Sequence, residues 1–81
     1  AGNRRSRIHE VDFVVERFDG KALPVEVKFR KRIDPEDAAG LLHFMARFGS
    51  PLGIMVTRQT GAWDPQRRIL YVPLQSFLLS F

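Results

Sequence analysis

The stretch Glu10-Val11-Asp12-Phe13-Val14-Val15-Glu16-Arg17-Phe18-Asp19-Gly20-Lys21-Ala22-Leu23-Pro24-Val25-Glu26-Val27-Lys28 decides the fold. Two β-prone runs, about Glu10 to Glu16 and Ala22 to Phe29, flank the turn-forming pair Asp19-Gly20 and predict a hairpin. Asp12 lies on the first run, and Glu26 and Lys28 on the second, with 13 residues between Asp12 and Glu26. Their apolar neighbours Val11, Phe13, Val25 and Val27 are expected to turn inward. Two carboxylates held on rigid strands can grip a hard cation, and a nearby ammonium can steady a water or a developing phosphorane charge.

Register decides whether these groups meet. A two-residue Asp19-Gly20 loop would set Asp12 against Val27 and turn Glu26 and Lys28 to the other face. A three-residue loop, Phe18-Asp19-Gly20 with Gly20 left-handed, sets Asp12 against Glu26 with Lys28 diagonal to it. The apolar pattern favours the longer loop, because it gathers Val11, Phe13, Val15, Val25 and Val27 on one face. Glu10, Asp12, Glu26 and Lys28 then share the opposite face. A polar face turned to solvent accounts for the same pattern.

These residues resemble the PD-(D/E)XK, or restriction-endonuclease-like, nuclease superfamily. Asp12 matches its metal-binding aspartate and Glu26-Val27-Lys28 its (D/E)-x-K. The ordered series of these runs, a helix, Gly53-Ile54-Met55-Val56-Thr57-Arg58 and Ile69-Leu70-Tyr71-Val72-Pro73-Leu74 is similar to one branch, from about Arg7 to Leu79. That branch is the nuclease-like C-terminal domain, of unknown function, of prokaryotic AAA-type ATPases. The resemblance implies that Asp12 and Glu26 hold Mg²⁺ or Mn²⁺ with help from the Val27 carbonyl. It further implies that Lys28 orients or stabilises the attacking water, with Glu10 as a candidate outer-shell acid. The superfamily core is αβββαβ, and its first helix and first strand have no counterpart before Asp12, so a truncated core is expected. No G-x-x-x-x-G-K-[ST] occurs, so no ATP site is expected in this chain.

Eighty-one residues make one small domain that buries about two-thirds of its unfolded surface. With no cysteine, disulfides and thiolate metal sites are excluded, which suits a reducing cytoplasm. No apolar run reaches the ~18 residues that a membrane span needs, and no signal peptide is visible. The net charge of +4 is unevenly placed, in Arg4-Arg5-x-Arg7, in Lys28-x-Arg30-Lys31-Arg32 and in Arg67-Arg68. Arg30, Lys31 and Arg32 lead directly out of the carboxylate pair and are the candidates for DNA-backbone contact. A solvated basic face is the plainer use.

Asp34-Pro35-Glu36-Asp37 predicts a helix start, with Asp34 as cap and Pro35 at the first helical position. The helix should run through Phe48 to a left-handed Gly49, packing Ala38, Leu41, Leu42, Met45 and Phe48 on the sheet. His43 has no metal-ligand partner at helical spacing and reads as a half-buried surface residue; His9 reads as a solvated strand end. Leu52 to Thr57 predicts a buried central strand reached by a right-handed parallel crossover. Arg58 to Arg68 is expected as a polar loop whose Trp63 makes a lid contact or stacks on a base. Ile69 to Val72 predicts a last strand, and Leu74 to Phe81 a final apolar turn or helix.

The expected fold is α/β, a mixed four-stranded sheet with one main helix and a short C-terminal helix. Residues 1–9 read as a basic leader, the first three as a cloning remnant, and residues 10–81 as the nuclease-like C-terminal domain of a longer ATPase. The leading function is DNA binding with Mg²⁺-dependent endonuclease chemistry. The alternative is a catalytically inactive interaction or oligomerisation domain on the same scaffold. The resemblance implies a sheet edge left open beside the Asp12 strand, which, together with the apolar C-terminus, predicts a homo-oligomer.

Overall fold

The computed structural model describes residues 11–17 and 19–80. The expected leader 1–9, with its cations and His9, lies outside the described residues, as do Glu10, Phe18 and Phe81.

Strands β1 (Phe13–Glu16) and β2 (Ala22–Lys28) form the antiparallel hairpin in the longer-loop register, with Phe13 opposite Val25 and Glu16 opposite Ala22. The Arg17 N–H donates to the Lys21 carbonyl at 2.9 Å, so three residues connect the strands. Gly20 takes φ 85°, a left-handed conformation that costs glycine little. Asp19 helps to close the turn: its Oδ1 accepts the Lys21 N–H at 3.0 Å and its Oδ2 pairs with Arg17 at 2.6 Å.

The chain leaves β2 for a 3-10 turn (Pro35–Ala38) that runs into helix α1 (Ala39–Phe48). Asp34 is extended at the cap position, and its N–H is taken by the Asp37 carboxylate at 2.8 Å. Gly49, at φ 66°, ends the helix as expected. Strands β3 (Gly53–Thr57), β4 (Ala62–Asp64) and β5 (Ile69–Pro73) follow, and α2 (Leu74–Ser80) completes the described chain.

The sheet has five strands in the order β1-β2-β3-β5-β4, not four. β2, β3 and β5 are parallel, and the two outer strands run antiparallel to their neighbours. The additional strand, β4, lies within the segment expected as a loop. Asp64 Oδ1 accepts the Gln66 and Arg67 N–H groups at 3.1 and 3.2 Å, which turns the chain back and pairs β4 with β5. Trp63 is half exposed on that edge strand.

Every residue of β3 is buried, and the core lies on its two faces. On one side Ala38, Leu41 and Met45 pack on Met55 and Ile69; on the other Val25, Ile54 and Val56 receive Leu74 and Phe77 from the start and middle of α2. Each fully buried side chain such as Leu41, Met55 or Ile69 contributes roughly 1.5–3 kcal/mol of transfer free energy. Gly53 lets the helix come close: a Cβ there would stand 2.9 Å from Met45 Sδ and 3.5 Å from Leu41.

Three inward placements differ from expectation. Val11 packs with the α1-side cluster instead of with Val15 and Val25, because the chain bends at Asp12. Phe13 is 57 % exposed, since β1 is an edge strand and no helix covers its end. Phe44, not Phe48, is the buried helix aromatic; Phe48 sits in the last turn and stacks against Phe44 with centroids 4.5 Å apart. His43 lies at the surface and is exposed rather than half-buried. Among the described residues no helix is long and apolar enough to cross a membrane.

Candidate functional site

The hairpin register governs where the predicted acids arrive. In the β1–β2 ladder Phe13 faces Val25, and the Asp12 N–H also donates to the Val25 carbonyl at 3.1 Å. Two successive residues of the first strand thus oppose one residue of the second, the signature of a bulge that re-aims a side chain. Val11 swings away to the helix side, so it does not continue the ladder. The Asp12 carboxylate takes that place, accepting the Val27 N–H on Oδ2 at 2.8 Å. Asp12 is therefore delivered to the middle residue of Glu26-Val27-Lys28.

Glu26 and Lys28 alternate with the buried Val25 and the half-buried Val27, and so lie on the α1 side of β2, level with Met55 and Thr57 of β3. The Glu26 side chain is 14 % exposed, and its Oε2 stands 3.8 Å from Lys28 Nζ. β2 is hydrogen-bonded to strands on both sides, which holds these two groups rigidly. The structure thus brings Asp12 to the backbone between Glu26 and Lys28, and pairs those two side chains with each other. Glu10 lies outside the described residues. Among the described residues no three His, Cys, Asp or Glu side chains are grouped so as to hold a metal. Asp12 and Glu26 offer hard oxygen donors of the kind Mg²⁺ and Mn²⁺ prefer, but a cation there would draw most of its ligands from water.

The three predicted cationic contacts differ in their surroundings. Arg30 is half exposed and ion-paired with Asp37 through Nη2. Arg32 is almost wholly exposed, with Nε 3.8 Å from Asp34. Lys31 is exposed. An exposed pair of this kind contributes little to stability, so Arg32 keeps most of its solvent-facing charge.

Asp37 was not singled out by sequence reasoning as a site residue. The Asp34 N–H holds its carboxyl below the usual carboxylate range against the opposing effect of burial, and the charges of Arg30 and Lys28 reinforce this. It joins the helix start to the end of β2. Its sequence signal was ordinary helix capping, and only the packing of α1 on β2 shows that it faces the cations.

A second polar network lies at the far edge of the sheet. Arg67 donates to Asp64 at 2.7 Å, to the Tyr71 hydroxyl at 2.9 Å and to the Pro35 carbonyl at 3.1 Å. It ties the β4–β5 turn to the helix start, and its hydrogen bonds to Asp64 keep that carboxyl below its usual range. This network explains Arg67 as a structural residue rather than part of a basic patch.

No curated protein and no solved structure matches the chain. Residues 4–77 match the family described as "Domain of unknown function (DUF4143)", and the chain belongs to that family.

Proposed function

We propose that this domain is the nuclease-like module of an AAA-type ATPase, binding DNA and hydrolysing a phosphodiester with a divalent metal. The family's frequent occurrence in AAA ATPase proteins supports the context. The observation that carries the chemistry is the delivery of Asp12 to Val27, between Glu26 and its ion partner Lys28. Asp12 and Glu26 are the proposed ligands of Mg²⁺ or Mn²⁺, with the Val27 carbonyl as a further oxygen donor and Glu10 as an outer-shell acid. When bound, the metal would polarise the phosphoryl oxygen and lower the pKa of a bound water. Lys28 would orient that water or offset the developing charge, and Arg30, Lys31 and Arg32 would hold the DNA backbone. In this reading the domain is a truncated restriction-endonuclease-like core, works in the cytoplasm and leaves ATP to its partner domain.

Calorimetric titration of Mn²⁺ and Mg²⁺ into wild type and Asp12→Ala tests the metal site. Weak binding lost in the variant is expected, whereas equal binding by both removes Asp12 from the role. In the intact ATPase, Asp12→Ala and Lys28→Ala should each abolish cleavage while DNA binding persists.

A second reading, an inactive interaction or oligomerisation domain, is favoured by the sheet edge at β1. Phe13 and Val14 are about half exposed there, and an edge strand presents unpaired backbone groups to another chain. Strand addition between two copies predicts a concentration-dependent homo-oligomer in sedimentation. A monomer across the whole series removes that reading.

A further inference from the structure

The parallel strands β2 and β3 end together, with Lys28 opposite Thr57. One residue beyond each end stand Phe29 and Arg58, both exposed, at the same end of the sheet. Phe29 is 56 % exposed although it directly follows a strand whose apolar residues are otherwise covered. The backbone explains its exposure. The Arg30 N–H donates to the Lys28 carbonyl at 2.8 Å, closing a tight turn of three residues centred on Phe29. The turn breaks the strand and holds the ring outward at its corner.

The ring's neighbours are cationic. Lys28 and Arg30 flank it in sequence, Lys31 and Arg32 follow, and Arg58 leaves β3 at the same end of the sheet. Among the described residues the Arg30 guanidinium is anchored to Asp37 through Nη2, and a guanidinium carries five donors in a planar fork. Its half-exposed side chain therefore presents further donors in a fixed orientation. An exposed aromatic ring held by a tight turn among ion-paired and exposed cations has the chemistry of a single-strand nucleic-acid platform. The base stacks on the ring, and the flanking phosphates meet the cations. Duplex DNA, whose bases are stacked on each other, has no free face to offer Phe29.

We infer that Phe29 is a base-stacking residue and that this end of the sheet binds an unpaired nucleotide segment, with Arg30 and Arg58 on its phosphates. This rests on the nucleic-acid reading above and specifies the strandedness of the ligand.

The test is fluorescence anisotropy with a short labelled oligothymidylate and with a duplex of equal length, at low salt. Wild type should prefer the single strand. Phe29→Ala should weaken single-strand binding roughly 5- to 150-fold and leave duplex binding unchanged. Phe29→Tyr should bind like wild type, because the stacking face is kept. Arg58→Ala should weaken binding and flatten its salt dependence. Equal single-strand affinity for wild type and Phe29→Ala overturns the inference, as does a wild type that prefers the duplex or binds neither. Mn²⁺ titration of the same proteins separates the two readings. Metal binding that depends on Asp12, with no effect of Phe29→Ala on the oligonucleotide, overturns the stacking site alone. Stacking without such metal binding overturns only the metal site.

Discussion

The Asp12 carboxylate accepts the Val27 N–H at 2.8 Å, across 15 residues of sequence. The side chain thus substitutes for a backbone partner at the point where the first strand bends away. A residue in that position has two separable roles, as a hydrogen-bond acceptor and as a charge.

Asp12→Asn keeps an acceptor oxygen and loses the charge, whereas Asp12→Ala loses both. Chemical denaturation should show Asp12→Ala destabilised by about 0.5–1.5 kcal/mol, the usual net worth of one such hydrogen bond. Asp12→Asn should remain within about 0.5 kcal/mol of wild type, the usual range for a surface change that spares such features. Metal binding should fall in both. A metal response that tracks stability instead of charge would assign Asp12 to the hairpin alone.

Acid sensitivity follows from Asp37 and Asp64, whose carboxyls titrate below the ordinary value of 3.8 in the folded state. A carboxyl depressed on folding stabilises the protein above its unfolded pKa, and that contribution is lost as pH falls through the folded value. Melting temperature should therefore hold steady near neutrality and drop below about pH 4. Asp37→Asn and Asp64→Asn should each flatten the acid limb measured by circular dichroism. An unchanged acid limb in both would remove these carboxyls as its source.

Arg68 takes φ 58° at the end of the β4–β5 turn, where its carbonyl accepts the Gly53 N–H at 3.0 Å. A left-handed non-glycine residue costs about 1–2 kcal/mol. Arg68→Gly should thus stabilise the fold by roughly 0.5–1 kcal/mol after allowing for glycine's greater freedom in the unfolded chain. A higher denaturant midpoint at unchanged slope is the expected readout; a lower midpoint would mean that the arginine side chain matters more than its backbone.

At Gly53 the direction reverses. A methyl group there would stand 2.9 Å from Sδ of the flexible but buried Met45 side chain, which must shift, so Gly53→Ala should destabilise by about 1 kcal/mol, the low end of overpacking costs. The double variant Gly53→Ala/Met45→Ala should recover part of that loss relative to the sum of the two single changes. Simple additivity would locate the strain elsewhere.

The hairpin, the helix and the buried central strand were legible because each rests on a local rule. Gly20 permits the left-handed turn that sets the register, Asp34-Pro35 and Gly49 bound the helical region, and β3 is apolar throughout. The misses occur where tertiary placement overrides pattern. β4 has three residues and pairs on one side only, so Ala62 and Trp63 remain exposed and carry no alternation. Val11 breaks alternation because a bend precedes the strand, and the helix buries Phe44 where a longer helix would have used Phe48. At the candidate site the hairpin register was legible, but the bend before β1, which sets the Asp12 N–H on the Val25 carbonyl and its carboxylate on the Val27 N–H, was not. The neighbourhood of Asp37 and the open end of the sheet at Phe29 and Arg58 depend on how α1 and β3 pack beside β2.

Asp12 and Glu26 belong to strands of unequal anchorage. Glu26 sits in β2, bonded along both flanks, whereas Asp12 lies at the mouth of a four-residue edge strand bonded along one. Local opening of that edge costs less than global unfolding, so amide exchange should be faster at Val14 and Val15 than at Met55 and Val56. Withdrawal of the first strand would dismantle the carboxylate pair while β2, β3 and β5 stay folded. Occupancy of the proposed metal site would therefore follow a smaller equilibrium than the stability of the domain, one that anything lying along the β1 edge could set.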